Sequence, residues 1–302
     1  MHILIRPRKP WLALAMSFVL PGFGQIYNGD ANKAIWLFLA FALLSIPVVS
    51  FVALYLSGGW MMPILVASLL IALAIWIYGM VDAWRSACGK TNYSPVAWQI
   101  SGIYALVFLC CLLAQWFLID YVRNHLVQSF YIPSNSMEPG ILRGDILFAD
   151  MRYNCPGCKS EVRRGDIAIF VYPNNRTRYY IKRIVALPGD SVRIEGHRIW
   201  INEQSLTTAE KQVGAGLLIT ESIDGRKWQV RWSQAKPQSE NLKLVVPAGQ
   251  VFVLGDNRSS AHDSRRFGTV PLADVVGKAR QIWFSKEPDA RVRWKRFGTV
   301  PE

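Results

Sequence analysis

Charge is what the first part of this 302-residue chain lacks. From Ala34 to Val81 there is no Asp, Glu, Lys or Arg. Residues 1–119 hold only two acids, Asp30 and Asp82, and six of the 34 basic residues. No water-soluble domain leaves so long a run uncharged, so this part belongs in a membrane. Histidine is scarce as well, four in all, and His125, His197 and His262 of the later half have no convincing triad context. Only five cysteines occur, with a single C-x-x-C, Cys155-Pro156-Gly157-Cys158, and no nearby second pair of ligands to complete a zinc site. Hydrophobic residues at 51% against 18% charged exclude disordered and fibrous classes. A six-residue echo, Arg266–Pro271 and Arg296–Pro301, is too short to be a repeat architecture.

What is present divides the chain at about residue 120, with a membrane region over 1–120 and a β-rich catalytic domain over 121–302. The apolar run breaks at Ser57-Gly58-Gly59, which predicts spans over about 34–57 and 60–81, with a third over about 99–119. The segment 11–27 is also apolar but interrupted by Pro21-Gly22-Phe23-Gly24. Basic residues cluster at Arg6, Arg8 and Lys9, at Lys33, and at Arg85 and Lys90. If all face the cytoplasm, segment 11–27 is interfacial or re-entrant and everything after Asp120 is extracytoplasmic; four crossings would instead put the first cluster outside. A cleavable signal peptide is a poor reading of residues 1–28, because Gln25-Ile26-Tyr27 lacks small residues. Pro21–Gly29 reads as a kinked helix pair with Gly at the tight points, and is also similar to a short motif of small bacterial membrane modules.

From Ile146 onward, short β-branched or apolar runs alternate with turn residues. Strands are predicted at 146–149, 167–172, 179–186, 191–194, 198–202, 242–246 and 250–254, with a hairpin at Glu195-Gly196-His197. One short helical piece is expected near Leu206–Val213. The fold class is therefore an α-helical transmembrane region followed by a mostly antiparallel β domain.

A serine in the Pro-flanked turn Ser134-Asn135-Ser136-Met137-Glu138-Pro139 is by itself a turn residue. A lysine within Tyr180–Val185 is by itself a solvent-face residue; buried, it becomes a usable amine base. The order of blocks changes both readings. Ile132–Asp145, Arg164–Phe170, Tyr180–Asp190 and Gly255–Arg265 together resemble the conserved boxes of bacterial type I signal peptidases, membrane-anchored Ser-Lys proteases. The likeness runs from about Gln128 to the C-terminus.

That resemblance implies Ser136 as nucleophile and Lys182 as general base. It implies an oxyanion hole from the Ser134 hydroxyl and the Ser136 backbone N–H, and Asp256, Arg258, Asp263 and Arg265 as support for the site. Three positions depart from the pattern: Asn135 between the serines, Gly140 where threonine is common, and Ala261 where a serine usually orients the lysine. The function it implies is removal of signal peptides from exported preproteins at the bacterial inner membrane. The enzyme would be multi-pass, with its catalytic domain on the periplasmic side and no metal or cofactor. A dedicated peptidase for a pilin-like or conjugation-system precursor is the nearer alternative, and a non-catalytic signal-peptide-binding module the more distant. Cys155 and Cys158, outside the cytoplasm, favour a small disulfide over a regulatory or metal role. Residues 120–302 carry 28 basic and 19 acidic groups, net +9. That balance suits anionic lipid headgroups better than nucleic acid, since no element concentrates the charge.

Overall fold

The computed structural model describes residues 7–56, 58–154, 161–233 and 241–301. The chain forms two compact units, one of residues 1–56 with 62–122, the other of 57–61 with 123–302. Cys155 and Cys158, and with them the expected disulfide, lie outside the described residues.

The first unit is helical. Helices α1 (Pro10–Val19) and α2 (Phe23–Asn28) replace what the sequence reads as one interrupted segment. Gly22, at φ 89°, turns the chain between them. A Cβ on Gly24 would stand 2.1 Å from the Ala13 carbonyl oxygen, so only glycine lets α2 press against α1. Three helices long and apolar enough to cross a membrane follow: α3 (Ala31–Tyr55), α4 (Met61–Gly89) and α5 (Ser101–His125). The last two run beyond the expected ends at 81 and 119. The C-terminal part of α4, from Gly79 on, is held by polar contacts to α2, the loop after it and the start of α3. Gln25 Nε2 donates to Gly79 O (2.8 Å), Asn28 Nδ2 to Ala83 O (2.7 Å), and Lys33 and Lys90 pair with Asp82 and Asp30. The Arg8 N–H donates to Lys90 O, and its guanidinium lies over the Tyr27 and Tyr93 rings. Arg8, Lys33 and Lys90 therefore gather at one end of this unit.

The second unit is β-rich, and every pairing between its strands is antiparallel. Its main sheet contains β1 (Val127–Tyr131), β2 (Asp145–Asp150), β3 (Ile167–Val171) and β4 (Tyr179–Ala186). A second sheet is built from β5 (Ser191–Glu195), β6 (Arg198–Ile201) and β7 (Gln204–Ser205). A third has β8 (Thr207–Val213), β9 (Gly216–Ile223) and β10 (Arg226–Ser233) in the order β10-β9-β8. Strand β11 (Leu242–Val245) completes the second sheet beside β5. Strands β12 (Gln250–Leu254), β13 (Val270–Pro271) and β14 (Val275–Ser285) complete the first, in the order β1-β2-β14-β3-β4-β12-β13. The hairpin at Gly196-His197 joins β5 and β6 as the sequence implies.

One expectation fails. Leu206–Val213 is no helix: Thr207–Val213 is strand β8. Ala209-Glu210-Lys211-Gln212 favours a helix intrinsically, but pairing along β9 overrides that preference.

Among the described residues of this unit, three core clusters stand out. One, with Ile199, Trp228 and Phe252, lies among the three sheets. A second, with Met137, Ile141, Leu147 and Ile169, lies under the 132–144 loop. A third surrounds Phe170 and Val253. Met137 and Ile141 are wholly buried, and each such side chain contributes roughly 1.5–3 kcal/mol, which pins the serine turn to the sheet.

The sequence echo has a structural meaning. Both copies run from a short helical turn through a glycine at positive φ, Gly268 and Gly298, into extended chain on a sheet edge. The first pairs with β12, and the second exchanges hydrogen bonds with Ile282 of β14.

Candidate active site

Ser136 sits on the loop between β1 and β2. The mouth of that loop is closed by hydrogen bonds from Ile132 N to Asp145 O and from Gly144 N to Ile132 O. Its Oγ lies 2.9 Å from Lys182 Nζ and 3.2 Å from Ser134 Oγ. Lys182 is on β4 and only 4% exposed. The nitrogen also donates to Ile181 O at 2.8 Å. Burial pushes its pKa down from 10.5 to about 8, while the carboxylates of Asp263 and Asp256 pull the other way. A lysine so placed holds a useful share of neutral amine near neutral pH.

The next residue points to the opposite face. Arg183, 2% exposed, grips Asp256 with two hydrogen bonds of 2.8 and 2.7 Å and donates to Gly165 O. Asp256 begins the return loop that closes the site. The Asn257 N–H donates to Ser136 O, and its side-chain amide to Asn135 O. Gly255 lies against the lysine: a Cβ there would be 2.3 Å from Ala261 Cβ, 2.6 Å from Ser136 O and 3.5 Å from Lys182 Cδ. The backbone approach needs glycine because there is no room for a side chain.

Beneath this loop the remaining charges are paired. Asp263 accepts from Gly255 N and takes Arg265 bidentately at 2.8 Å, and Arg265 donates on to Arg258 O. Arg258, wholly buried, pairs with Glu221 of β9 at 2.5 Å and donates to Gly255 O. The structure thus brings Ser134, Ser136, Lys182, Asp256, Arg258, Asp263 and Arg265 into one region; Asp263, Arg265 and the Arg258 carbonyl are linked to one another, while the Asp256 carboxylate is held by Arg183 and the Arg258 guanidinium by Glu221. Sequence reasoning missed Arg183, Glu221, Gly255 and Asn257. Arg183 had a signal, a second cation beside a buried lysine. Glu221 had none, being one acid on a strand 37 positions from its partner.

The three departures are accommodated. Asn135 presents its carbonyl to Asn257, Gly140 presents its own to Arg296, and Ala261 is buried against Gly255 while Ser260 is exposed. His262, beside Ala261, contacts the Tyr172 hydroxyl.

A cleft of about 270 Å³ leads to the serine and lysine, walled by Phe130–Ser134 on one side and Tyr179–Lys182 on the other. Over those β4 residues, pairing with β3 occupies one edge, and the pairing with β12 starts only at Arg183.

Comparison with known proteins bears on the family. The family described as "Signal peptidase, peptidase S26" matches residues 101–284. Signal peptidase I of Pseudomonas fluorescens is 34% identical over 197 residues, 56% of this chain and 69% of that protein. That of Pseudomonas aeruginosa is 34% identical over 216 residues, 61% of this chain and 75% of the relative. Signal peptidase I of Rickettsia conorii is 30% identical over 236 residues, 65% and 83% respectively. A crystal structure of a signal peptidase I from Enterococcus faecalis shares 29% identity, covering 39% of this chain and 97% of that one with a TM-score of 0.27. The match runs from the start of α5 almost to the end of β14, through the serine loop, the lysine strand and the 255–265 loop, and by it this chain belongs to the S26 signal peptidase family.

Proposed function

We propose that this chain is a membrane-bound serine endopeptidase that removes signal peptides with a Ser136–Lys182 dyad. The observation that carries the reading is the 2.9 Å approach of a buried amine to a serine hydroxyl. Neutral Lys182 takes the proton of Ser136 as its Oγ attacks the scissile carbonyl. The Ser134 hydroxyl and the Ser136 backbone N–H receive the oxyanion; removing one such donor typically costs about 10²–10³ in rate. The Lys182 ammonium then protonates the leaving amine. Water, deprotonated by the same lysine, releases Ser136 from the acyl-enzyme.

The cleft is small and apolar, which suits a small residue before the cut, and the uncovered edge of Tyr179–Lys182 suits a substrate bound as an added strand. In this reading residues 1–120 are the membrane region, crossing three times, with α1 and α2 re-entrant and residues 121–302 on the periplasmic side. The gathering of Arg8, Lys33 and Lys90 at one end of the helical unit supports it. The net +9 of the catalytic part favours anionic headgroups as its surroundings.

Cleavage of a preprotein in detergent micelles tests the dyad. Ser136→Ala should abolish it. Lys182→Arg should fall as far as Lys182→Ala, because a guanidinium stays protonated at every working pH. Substantial activity in the arginine variant would refute the lysine as base.

A further inference from the structure

A second depression lies past the serine, on the other side of its loop. It has a volume of about 460 Å³ and shares no lining residue with the cleft. The loop divides the two: Ser134 and Ser136 wall the cleft, Pro139 and Gly140 wall this groove. Its floor is β10 at Lys227–Gln229; the outward positions of that strand, which alternate with buried Trp228, Val230 and Trp232, are Lys227, Gln229 and, just beyond the groove lining, Arg231, all exposed. Arg231 starts this stripe beside the serine loop. Its backbone is bonded to Asp256 and Arg258 on either side of Asn257, the residue that holds Ser136 O, and its guanidinium is 3.6 Å from Glu138. Lys227 lies four residues along the strand, about 13 Å away at strand rise. The far wall is the extended segment Thr299–Pro301, and Arg296 ties the near wall by donating to Gly140 O and pairing with Asp145.

A peptide that leaves the apolar cleft over Ser136 meets this groove next. We propose that the groove holds the first residues of the mature protein, those after the scissile bond, in extended form, and that its cations favour Asp or Glu there. The spacing of Arg231 and Lys227 places the preference at about the second to sixth residues beyond the cut. The inference rests on Ser136 as nucleophile and extends that reading to the released half of the substrate.

The test compares two preproteins differing only in an Asp pair or a Lys pair at the third and fifth residues after the cut, with the full-length protein in neutral detergent. The acidic substrate should have the higher kcat/KM by about two- to tenfold at low salt, with the ratio shrinking toward one near ~0.5 M salt, as expected of exposed charges. Lys227→Glu should reduce or invert the ratio, and Arg231→Gln should reduce it. A wild-type ratio of one, or a ratio that Lys227→Glu leaves unchanged, overturns the proposal. So does a preference that arises only in vesicles of anionic lipid, which would assign these cations to headgroups. Failure of the nucleophile reading has a different signature, cleavage that survives Ser136→Ala.

Discussion

Replacing Asp263 by Asn asks whether the pKa of Lys182 sets the rate. In the wild type, burial lowers that pKa to about 8, and the Asp263 carboxylate opposes the lowering. At pH 7 a lysine at 10.5 is about 0.03% neutral, and one at about 8 is about 9% neutral, so burial supplies roughly 300-fold more base. The profile of kcat/KM should therefore rise with pH through a midpoint near 8. Asparagine keeps the shape and one acceptor for Gly255 N or Arg265, but removes the charge that favours the ammonium. It also leaves Arg265, whose side chain is 4% exposed, without its counter-ion. Both effects push the lysine pKa further down. A fall of one unit, about 1.4 kcal/mol of lost attraction, would raise the pH 6 to pH 9 rate ratio about eightfold. Absolute turnover should drop, because Asp263 also holds Gly255 in place, so the readout is the shape of the profile. Preprotein cleavage measured from pH 5.5 to 10 in detergent decides it. A wild-type rate flat over that range, or a midpoint that stays or rises in Asp263→Asn, refutes the argument.

Three further outcomes are expected. Ala261→Ser should speed cleavage about two- to tenfold by giving the lysine an orienting hydroxyl, an interaction of roughly 0.5–1.5 kcal/mol, whereas Ser260→Ala should change nothing; the opposite pattern would mean that Ser260 holds that role. Arg183→Met should cost about 3–5 kcal/mol in resistance to denaturant followed by tryptophan fluorescence, since it leaves Asp256 buried without a partner, and Arg183→Met with Asp256→Leu should recover part of it. Reporter fusions after Pro10, Lys33 and Lys90 should all report the cytoplasm and one after Asp120 the opposite side; an external signal at Pro10 would mean four crossings.

How much of this was legible depended on where each signal lies in the chain. The closeness of Ser136 and Lys182 was readable because the blocks around them keep their order along the sequence. Strands β3 to β6 and β12 were readable because Gly, Pro and Asp bound short β-branched runs. Strand β8 was not, since nearly all its residues face solvent and leave no alternation, and only its pairing with β9 makes it a strand. Strands β9 and β10 do alternate, most clearly in Trp228, Val230 and Trp232, but their partners are fixed by tertiary contacts that no local pattern encodes. The same holds for the brace. Asp256 and Arg258 stand out in their block, while the groups they grip, Arg183 and Glu221, are chosen by the fold. Helix α4 outran its expected end because that stretch is held by polar contacts at Asp82 and Ala83 rather than by hydrophobicity.

Adjacent positions on a strand face opposite ways, and β4 sets a lysine at 182 beside an arginine at 183. A slip of one residue would present Ser136 with a guanidinium, which never gives up its proton, and would leave Asp256 without its fork. The grip of Arg183 on Asp256 thus acts as a register check on the strand that carries Lys182, the proposed base. In an unfolded chain Lys182 returns to 10.5 and is some 300-fold poorer as a base at pH 7. On the proposed mechanism, hydrolytic competence therefore depends on this strand having paired in register and not on the residues being present in the chain.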